Sequence, residues 1–263
     1  MTPEHLREAW ARSSAICFHD ESVDWFVDQY KKEIFDSAFA YSRAQIDIHF
    51  GSILSSLPSG AKILDVGCGI GQHLENLIKK GFNASGIEPA DNMRKIAQSR
   101  LPSGTVSAAS VLGLPFEQNV FDLVYAIEVF RYLSHEDNRR GLGETYRVLK
   151  PGAIFFGTFV NLNSLDGYRL FEALRLVREK VTGHQKAFHV QFETPGSLKS
   201  MLQSVGFSRV ETHGAMIAPL RVCYKFPPFG KYVAQAVQSL DQALTDTRPL
   251  QRFAAHLIGV AWK

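Results

Sequence analysis

The segment Ile63-Leu-Asp-Val-Gly67-Cys-Gly69-Ile-Gly71 runs an apolar stretch into three glycines at alternate positions. Glycines in such a turn let the backbone approach a ligand closely, and a helix that follows offers the unpaired N–H groups of its first turn. Turns of this kind hold nucleotides. A second apolar stretch ends at Ile87 and hands on to Glu88, a carboxylate whose two oxygens can accept both hydroxyl hydrogens of a ribose. The spacing also discriminates between nucleotides. A dinucleotide fingerprint wants its third glycine three positions after the second, and this chain has Gln72 there, with the glycine one residue early. That departure disfavours the rival reading, a nicotinamide-dependent oxidoreductase.

The turn works only if neighbouring elements hold it in place. Lys62 to Val66 reads as a strand, and Leu74, Leu77 and Ile78 then mark a helical stripe that stops at Gly81. Ala84 to Ile87 is a second strand, followed by a helix with Asp91 as N-cap and a strand around Thr105 to Ala109. The run Phe121 to Ala126 is a fourth strand. A helix carrying Leu142, Tyr146 and Leu149 stops at Lys150-Pro151-Gly152, and Ala153 to Val160 is a further strand. Strands and helices alternating at this spacing predict right-handed βαβ units and an α/β, Rossmann-like, mostly parallel sheet covered on both faces.

The flanks read differently. To about Leu57 the apolar residues recur at three- and four-residue spacing, which predicts helices that end at Pro58-Ser59-Gly60. Beyond Val160, Leu170, Leu174, Val177 and Val181 mark an inserted helix, and Thr194-Pro195 cap another that Gly206 closes. A strand lies near Val210, an aromatic-rich stretch from Tyr224 to Tyr232 leads into a further helix, and Leu257 to Trp262 is the final strand. No repeat or low-complexity linker interrupts the chain, so one domain over 1–263 is preferred to two.

Composition excludes several classes. Lys plus Arg exceeds Asp plus Glu by only 29 − 26 = 3, without a basic block, so no nucleic-acid partner is expected. No apolar run approaches the roughly 20 residues that span a bilayer, and MTPEHLREAW is too polar for a secretory signal. Cys17, Cys68 and Cys223 are too few and too scattered for a disulfide framework or a metal knuckle, so no metal is expected and a cytoplasmic location is.

Five blocks in order, LDVGCGIG at 64–71, GIEPADNM at 86–93, LPFEQNVFDLVYAIEVFRYL at 114–133, RVLKPGAIFFGTF at 147–159 and HVQFETPGSLKSMLQSVGF at 189–207, resemble the class I S-adenosylmethionine-dependent methyltransferases. The likeness is to the small-molecule type typified by ubiquinone-biosynthesis methylases. It implies a seven-stranded sheet with an antiparallel last strand, here 256–262, and S-adenosyl-L-methionine as cofactor. It also implies a helical cap over 1–58, a cofactor-binding core over 59–160, and substrate-lid insertions at 161–193 and 216–252.

Carried over position by position, the resemblance assigns the turn Asp65, Gly67, Cys68, Gly69 and Gly71 to the methionine moiety and Glu88 to the ribose. Pro89 and Met93 would lie against the adenine. Val111 would offer it an N–H, and Ser110 stands where relatives usually place an Asp. Ala126 and Ile127 would offer carbonyls to the amino group of the cofactor. Tyr132 replaces a His common in relatives, and a phenol near pKa ~10 is a poor base at neutral pH. His189 becomes the candidate base, with Glu128, Tyr30, Tyr41, Tyr168 and His184 as candidate acceptor contacts. The implied partner is a small-molecule acceptor methylated on O, N or C; the oligomeric state is left open. A non-catalytic relative that only binds the cofactor remains the other alternative.

Overall fold

The computed structural model describes residues 14–182, 190–245, 247 and 249–263. Its centre is a sheet in the order β3-β2-β1-β4-β5-β8-β7, where β1 is Lys62–Val66, β2 Asn83–Ile87, β3 Val106–Ser107, β4 Phe121–Ala126, β5 Leu149–Asn161, β7 Arg209–Ala215 and β8 His256–Trp262. All neighbours on the β3 side of β5 run parallel, whereas β8 is antiparallel to both β5 and β7. An eighth strand, β6 (Phe192–Glu193), adds a two-residue parallel pairing at the end of β5. The antiparallel last strand therefore falls at 256–262, between two others rather than at the rim.

Alternation along the strands divides the core into two layers. Leu64, Val124, Phe155 and Leu257 face one side, where Leu142, Leu198 and Leu202 cover them. Ile63, Leu123, Tyr125, Phe156 and Ile258 face the other, under Phe50, Leu74, Leu77 and Ala97. The covering helices on the first face are α6 (His135–Val148) and α8 (Pro195–Val205); those on the second are α3 (Ala38–Ser55), α4 (Gln72–Lys79) and α5 (Asp91–Arg100). Two shorter helices, α1 (Ser14–Glu21) and α2 (Val23–Lys31), precede them. The helices α7 (Tyr168–Thr182), α9 (Leu220–Cys223) and α10 (Pro227–Thr245) belong to the later part of the chain. Among the described residues no helix is long and apolar enough to cross a membrane.

Several local expectations need correction. Asp91 is the first residue of α5 rather than its cap; Ala90 occupies the cap position and Asp91 pairs with Arg94. The helix before Pro151 ends at Val148, because Leu149 already pairs with Phe121 and a bulge in β5, between the Phe121–Leu149 and Leu123–Ile154 pairs, absorbs Gly152, whose φ is +77°. The strand near 105–109 shrinks to two residues. The apolar stripe of α7 marks a helix, but Leu170, Leu174, Val177 and Val181 point to solvent. The cap of α8 is as read: Thr194 Oγ1 accepts from Ser197 N–H at 3.1 Å, and Ser197 Oγ accepts from Thr194 N–H at 2.8 Å.

Candidate functional site

The C-terminal ends of β1, β2 and β4 open into a cavity of about 330 Å³, at the edge where open parallel sheets bind ligands. The turn after β1 forms its floor. Gly67 and Cys68 both donate their N–H to Ile87 O, at 2.9 and 3.0 Å, which ties the turn to the end of β2. Gly67 has φ +74°, and a Cβ there would stand 2.6 Å from Val129 Cγ2, so the position needs glycine both for conformation and for space.

Glu88 does more than wait for a ligand. Its Oε2 accepts from Gly69 N–H and its Oε1 from Ala90 N–H, both at 2.8 Å, so the carboxylate bridges the glycine turn and the entry to α5. Each oxygen keeps a further lone pair for the cavity. Burial pushes its carboxyl up to about 7, although both N–H bonds favour the charged form. Asp65 lines the same floor and is also pushed up to about 7, first by burial and then by the charge of Glu88.

Farther along the edge lies a second charged group. Glu128 follows β4 with φ +62°, a left-handed conformation uncommon for a side-chain-bearing residue. Its N–H donates to Thr158 Oγ1 at 2.8 Å, that hydroxyl donates back to Oε1 at 3.2 Å, and Arg131 pairs with Oε2. His256 Nδ1, at the start of β8, lies 2.9 Å from Oε1. Burial alone would raise the Glu128 carboxyl, but the neighbouring His256 and Arg131 outweigh it and hold it well below the usual carboxylate range. Arg131 also donates to Tyr168 OH at 2.8 Å, and Arg221 on α9 pairs with the buried Asp166 while its Nη2 comes 3.4 Å from His256 Nε2. Aromatic rings roof the cavity from α1 and α2. His19 stacks on Phe26 at 5.1 Å between centroids and meets the edge of Tyr132 at 5.0 Å.

Of the residues singled out in the sequence, Asp65, Gly67, Cys68, Gly69 and Glu88 line the cavity, as do Pro89, Met93, Val111 and Ile127. Glu128, Tyr30 and Tyr168 line it as well. Others are placed elsewhere. Gly71 packs its backbone against Ala97 and Leu101, and Ala126 is fully buried within the sheet. Ser110 Oγ accepts from Leu112 N–H at 3.1 Å, closing a local turn outside the lining. Tyr41 stands apart from the cavity: its hydroxyl donates to Asp241 at 3.1 Å, within the cluster of Met216, Leu220, Ala234 and Ala255. His184 and His189 lie outside the described residues. Sequence reasoning passed over His19, Arg43, Arg131, Arg221 and His256, all of which reach the cavity. For His256 a signal existed: an antiparallel last strand must begin at the edge where the parallel ones end.

Comparisons with known proteins agree with this architecture. The family described as "Methyltransferase domain" matches residues 64–157. An uncharacterised methyltransferase of Oceanobacillus iheyensis is 28% identical over 143 residues, 52% of this chain and 66% of that protein. The mitochondrial ubiquinone biosynthesis O-methyltransferase of Mus musculus is 35% identical over 173 residues, 60% of this chain but only 44% of that protein. A solved structure from Thermotoga maritima, described as an S-adenosylmethionine-dependent methyltransferase and possible histamine N-methyltransferase, superposes with a TM-score of 0.58 at 18% identity, covering 93% of this chain and 99% of that one. At that identity the superposition speaks for the fold alone.

Proposed function

This chain belongs to the class I S-adenosylmethionine-dependent methyltransferases, and from that premise we propose that it moves a methyl group from S-adenosyl-L-methionine to an O, N or C atom of a small-molecule acceptor. The observation that carries the reading is the continuity of one cavity. The glycine turn and Glu88 contribute one part of its wall and Glu128, Arg131, Tyr168 and His256 another. The rings of α1 and α2 reach both, Phe26 and Tyr30 packing beside Ile70 and Met93 and Phe18 beside Tyr132 and Tyr168.

The residues present suit the donor. Glu88 accepts from the ribose hydroxyls with the lone pairs its two backbone N–H bonds leave over. Asp65 faces the ammonium of the amino-acid tail, and the Arg43 guanidinium, 4.8 Å above the ring of Tyr30, is available to its carboxylate. Pro89, Met93 and Val111 pack against the adenine. When bound, S-adenosylmethionine supplies an electrophilic methyl on a positively charged sulfur. The chain then has to align the acceptor with that methyl and exclude water, a proximity effect that supplies about 7 to 11 kcal/mol. Within the segments 161–193 and 216–252, α7 and α9 form the lid over the acceptor, since Tyr168 and Arg221 bring them to the wall of the cavity.

The test is binding followed by turnover. Calorimetry should show saturable S-adenosylmethionine and S-adenosylhomocysteine binding with no comparable affinity for NADH, and an acceptor screen with a labelled methyl donor should yield labelled product. Tighter NADH binding would return the chain to the oxidoreductase reading; cofactor binding without label on any acceptor would favour a non-catalytic relative.

A further inference from the structure

Resting on the methyltransferase reading, we propose that His256 is the residue that takes the proton from the methyl acceptor, that Glu128 positions it, and that Arg221 holds the oxygen anion so formed. The acceptor group is then an acidic hydroxyl rather than an amine. None of the three was assigned this role by motif, and each comes from a different element: β8, the end of β4 and α9.

The argument begins with Glu128. Its Oε1 meets Thr158 and His256 and its Oε2 meets Arg131, and these partners hold the carboxyl well below the usual carboxylate range, so it is a poor group to take a proton from an acceptor. An ionised carboxylate only accepts. Nδ1 of His256 lies 2.9 Å from that carboxylate, though not aligned as a hydrogen bond, and Arg221, which can only donate, faces Nε2 at 3.4 Å. Together they place the imidazole hydrogen on Nδ1 and the lone pair on Nε2. A carboxylate beside one nitrogen and a lone pair on the other is the arrangement by which a histidine is oriented to take a proton.

What Nε2 faces decides the acceptor. Arg221 Nη2 stands 3.4 Å from it, long for a hydrogen bond and short enough that any oxygen reaching Nε2 meets the guanidinium too. Among the described residues, the charged and titratable groups near His256 are Glu128 from the end of β4, Arg131 just after it, Tyr168 from α7, and Arg221 with its partner Asp166. Two guanidiniums beside the base repel an ammonium and stabilise an oxyanion. Among the described residues of the cavity, His19 and His73 are the competing imidazoles. His73, in the first turn of α4 beyond the glycine turn, meets the rings of Phe50 and Tyr125 and lies 3.8 Å from Asp47, away from Glu128 and Arg221. His19 has no carboxylate behind it: its Nδ1 is 2.7 Å from Ala15 O and its ring is packed among Phe18, Phe26 and Tyr132. Burial lowers the pKa of both. In the proposed step the acceptor O–H bond breaks, its proton going to Nε2 and its electron pair staying on oxygen. That pair forms the new O–C bond while the C–S bond breaks onto sulfur, and the proton leaves His256 to solvent after release.

Two measurements test this. In the first, wild-type protein saturated with S-adenosylhomocysteine is mixed with 4-nitrocatechol below the pH at which the free probe ionises. The yellow phenolate band should appear on binding and should be lost in Arg221→Gln; a probe that binds without ionising, or is not bound, overturns the proposal without needing any His256 variant. In the second, hydroxyarenes and aryl- and alkylamines are offered with labelled donor. Label should enter the hydroxyarenes, and His256→Gln should lower kcat about 100-fold and flatten the pH profile of kcat/KM, with S-adenosylhomocysteine affinity unchanged. Glu128→Gln should give a smaller loss with the profile displaced. Label on amines, equal turnover by His256→Gln, or a pH profile that follows His19→Gln instead would overturn the assignment while leaving methyl transfer standing. Label on nothing, with the donor bound, would overturn both.

Discussion

Glu88 offers a sharp check, because the structure assigns it a load beyond the cofactor. Glu88→Ala strips the acceptors from two backbone N–H groups, each of which costs about 1 to 3 kcal/mol when left unpaired. Water admitted by the cavity relieves part of this, so a loss of about 2 to 3 kcal/mol in unfolding free energy is expected. Glu88→Gln keeps one acceptor oxygen and turns an amide N–H₂ toward the other donor, which should cost about half as much. The pH dependence has a defined sign. The carboxyl rises from 4.5 to about 7 on folding, so the folded chain binds the proton more tightly than the unfolded one. The resulting contribution is favourable below about 4.5 and is lost as pH rises through about 7, in all about 3 kcal/mol by linkage. Asp65 slopes the same way and persists in the variant. Urea denaturation between pH 4.5 and 8 should therefore show wild-type stability falling across this window and Glu88→Gln falling less steeply. Affinity for S-adenosylhomocysteine, titrated at pH 8, should drop about 10- to 100-fold with loss of the charge-assisted ribose contact, worth about 1.5 to 3 kcal/mol. Parallel pH slopes with equal affinity would refute both the bridging and the ribose roles.

Glycine positions separate strain from space. Gly69→Ala, at φ +53° with nothing within 4 Å of the new Cβ, should cost about 1 to 2 kcal/mol of stability from the left-handed backbone alone; Gly67→Ala should cost more and weaken cofactor binding, because its Cβ meets Val129 on the cavity wall. Thermal unfolding and cofactor titration measure both, and equal penalties would count against the close approach. With Asp65 and Glu88 both pushed up to about 7, the net positive charge of S-adenosylmethionine should drive proton release on binding near pH 6.5, more than neutral-sulfur S-adenosylhomocysteine does; calorimetry in buffers of different ionisation heat reads the difference, and no difference would remove the carboxylates from the charged end of the donor. Tyr41→Phe should cost about 1 kcal/mol through its bond to the buried Asp241 and leave turnover unchanged, whereas a lowered kcat would restore Tyr41 to the acceptor site.

The βαβ core was legible because its signals are local. Glycines with φ above zero at 67, 69 and 71, the strand ends at Val66 and Ile87, and Glu88 immediately after them all sit within a stretch of sequence short enough for periodicity and turn chemistry to act together. Errors arose where tertiary pairing overrode local rules. Pro151 and Gly152 look like a helix stop followed by a loop, but Leu149 pairs with Phe121 and the chain bulges through them within a strand. Leu170, Leu174, Val177 and Val181 repeat like a buried face, yet repetition states only that a face exists and not what covers it; here they are exposed.

The acceptor end resisted reading for a related reason. Arg131, Tyr168, Arg221 and His256 come from separate elements, and apart from the Glu128–Arg131 pair three residues apart nothing at helical or strand spacing marks them out. Their meeting depends on α7 and α9 folding back over the sheet, where Asp166 and Tyr168 engage Arg221 and Arg131. The single long-range inference available was topological: reversing the last strand puts its first residue, His256, beside Val160 at the far end of β5. The two ends of the cavity also differ in charge design. At the proposed donor end burial raises Asp65 and Glu88 to about 7, so an arriving cation would favour their charged forms, whereas at the proposed acceptor end Glu128 is held well below the usual carboxylate range beside Arg131 and His256. A positively charged donor is drawn to the first, and an oxygen that must lose its proton is served by the second, so the pH dependence of donor binding and that of turnover should belong to different residues.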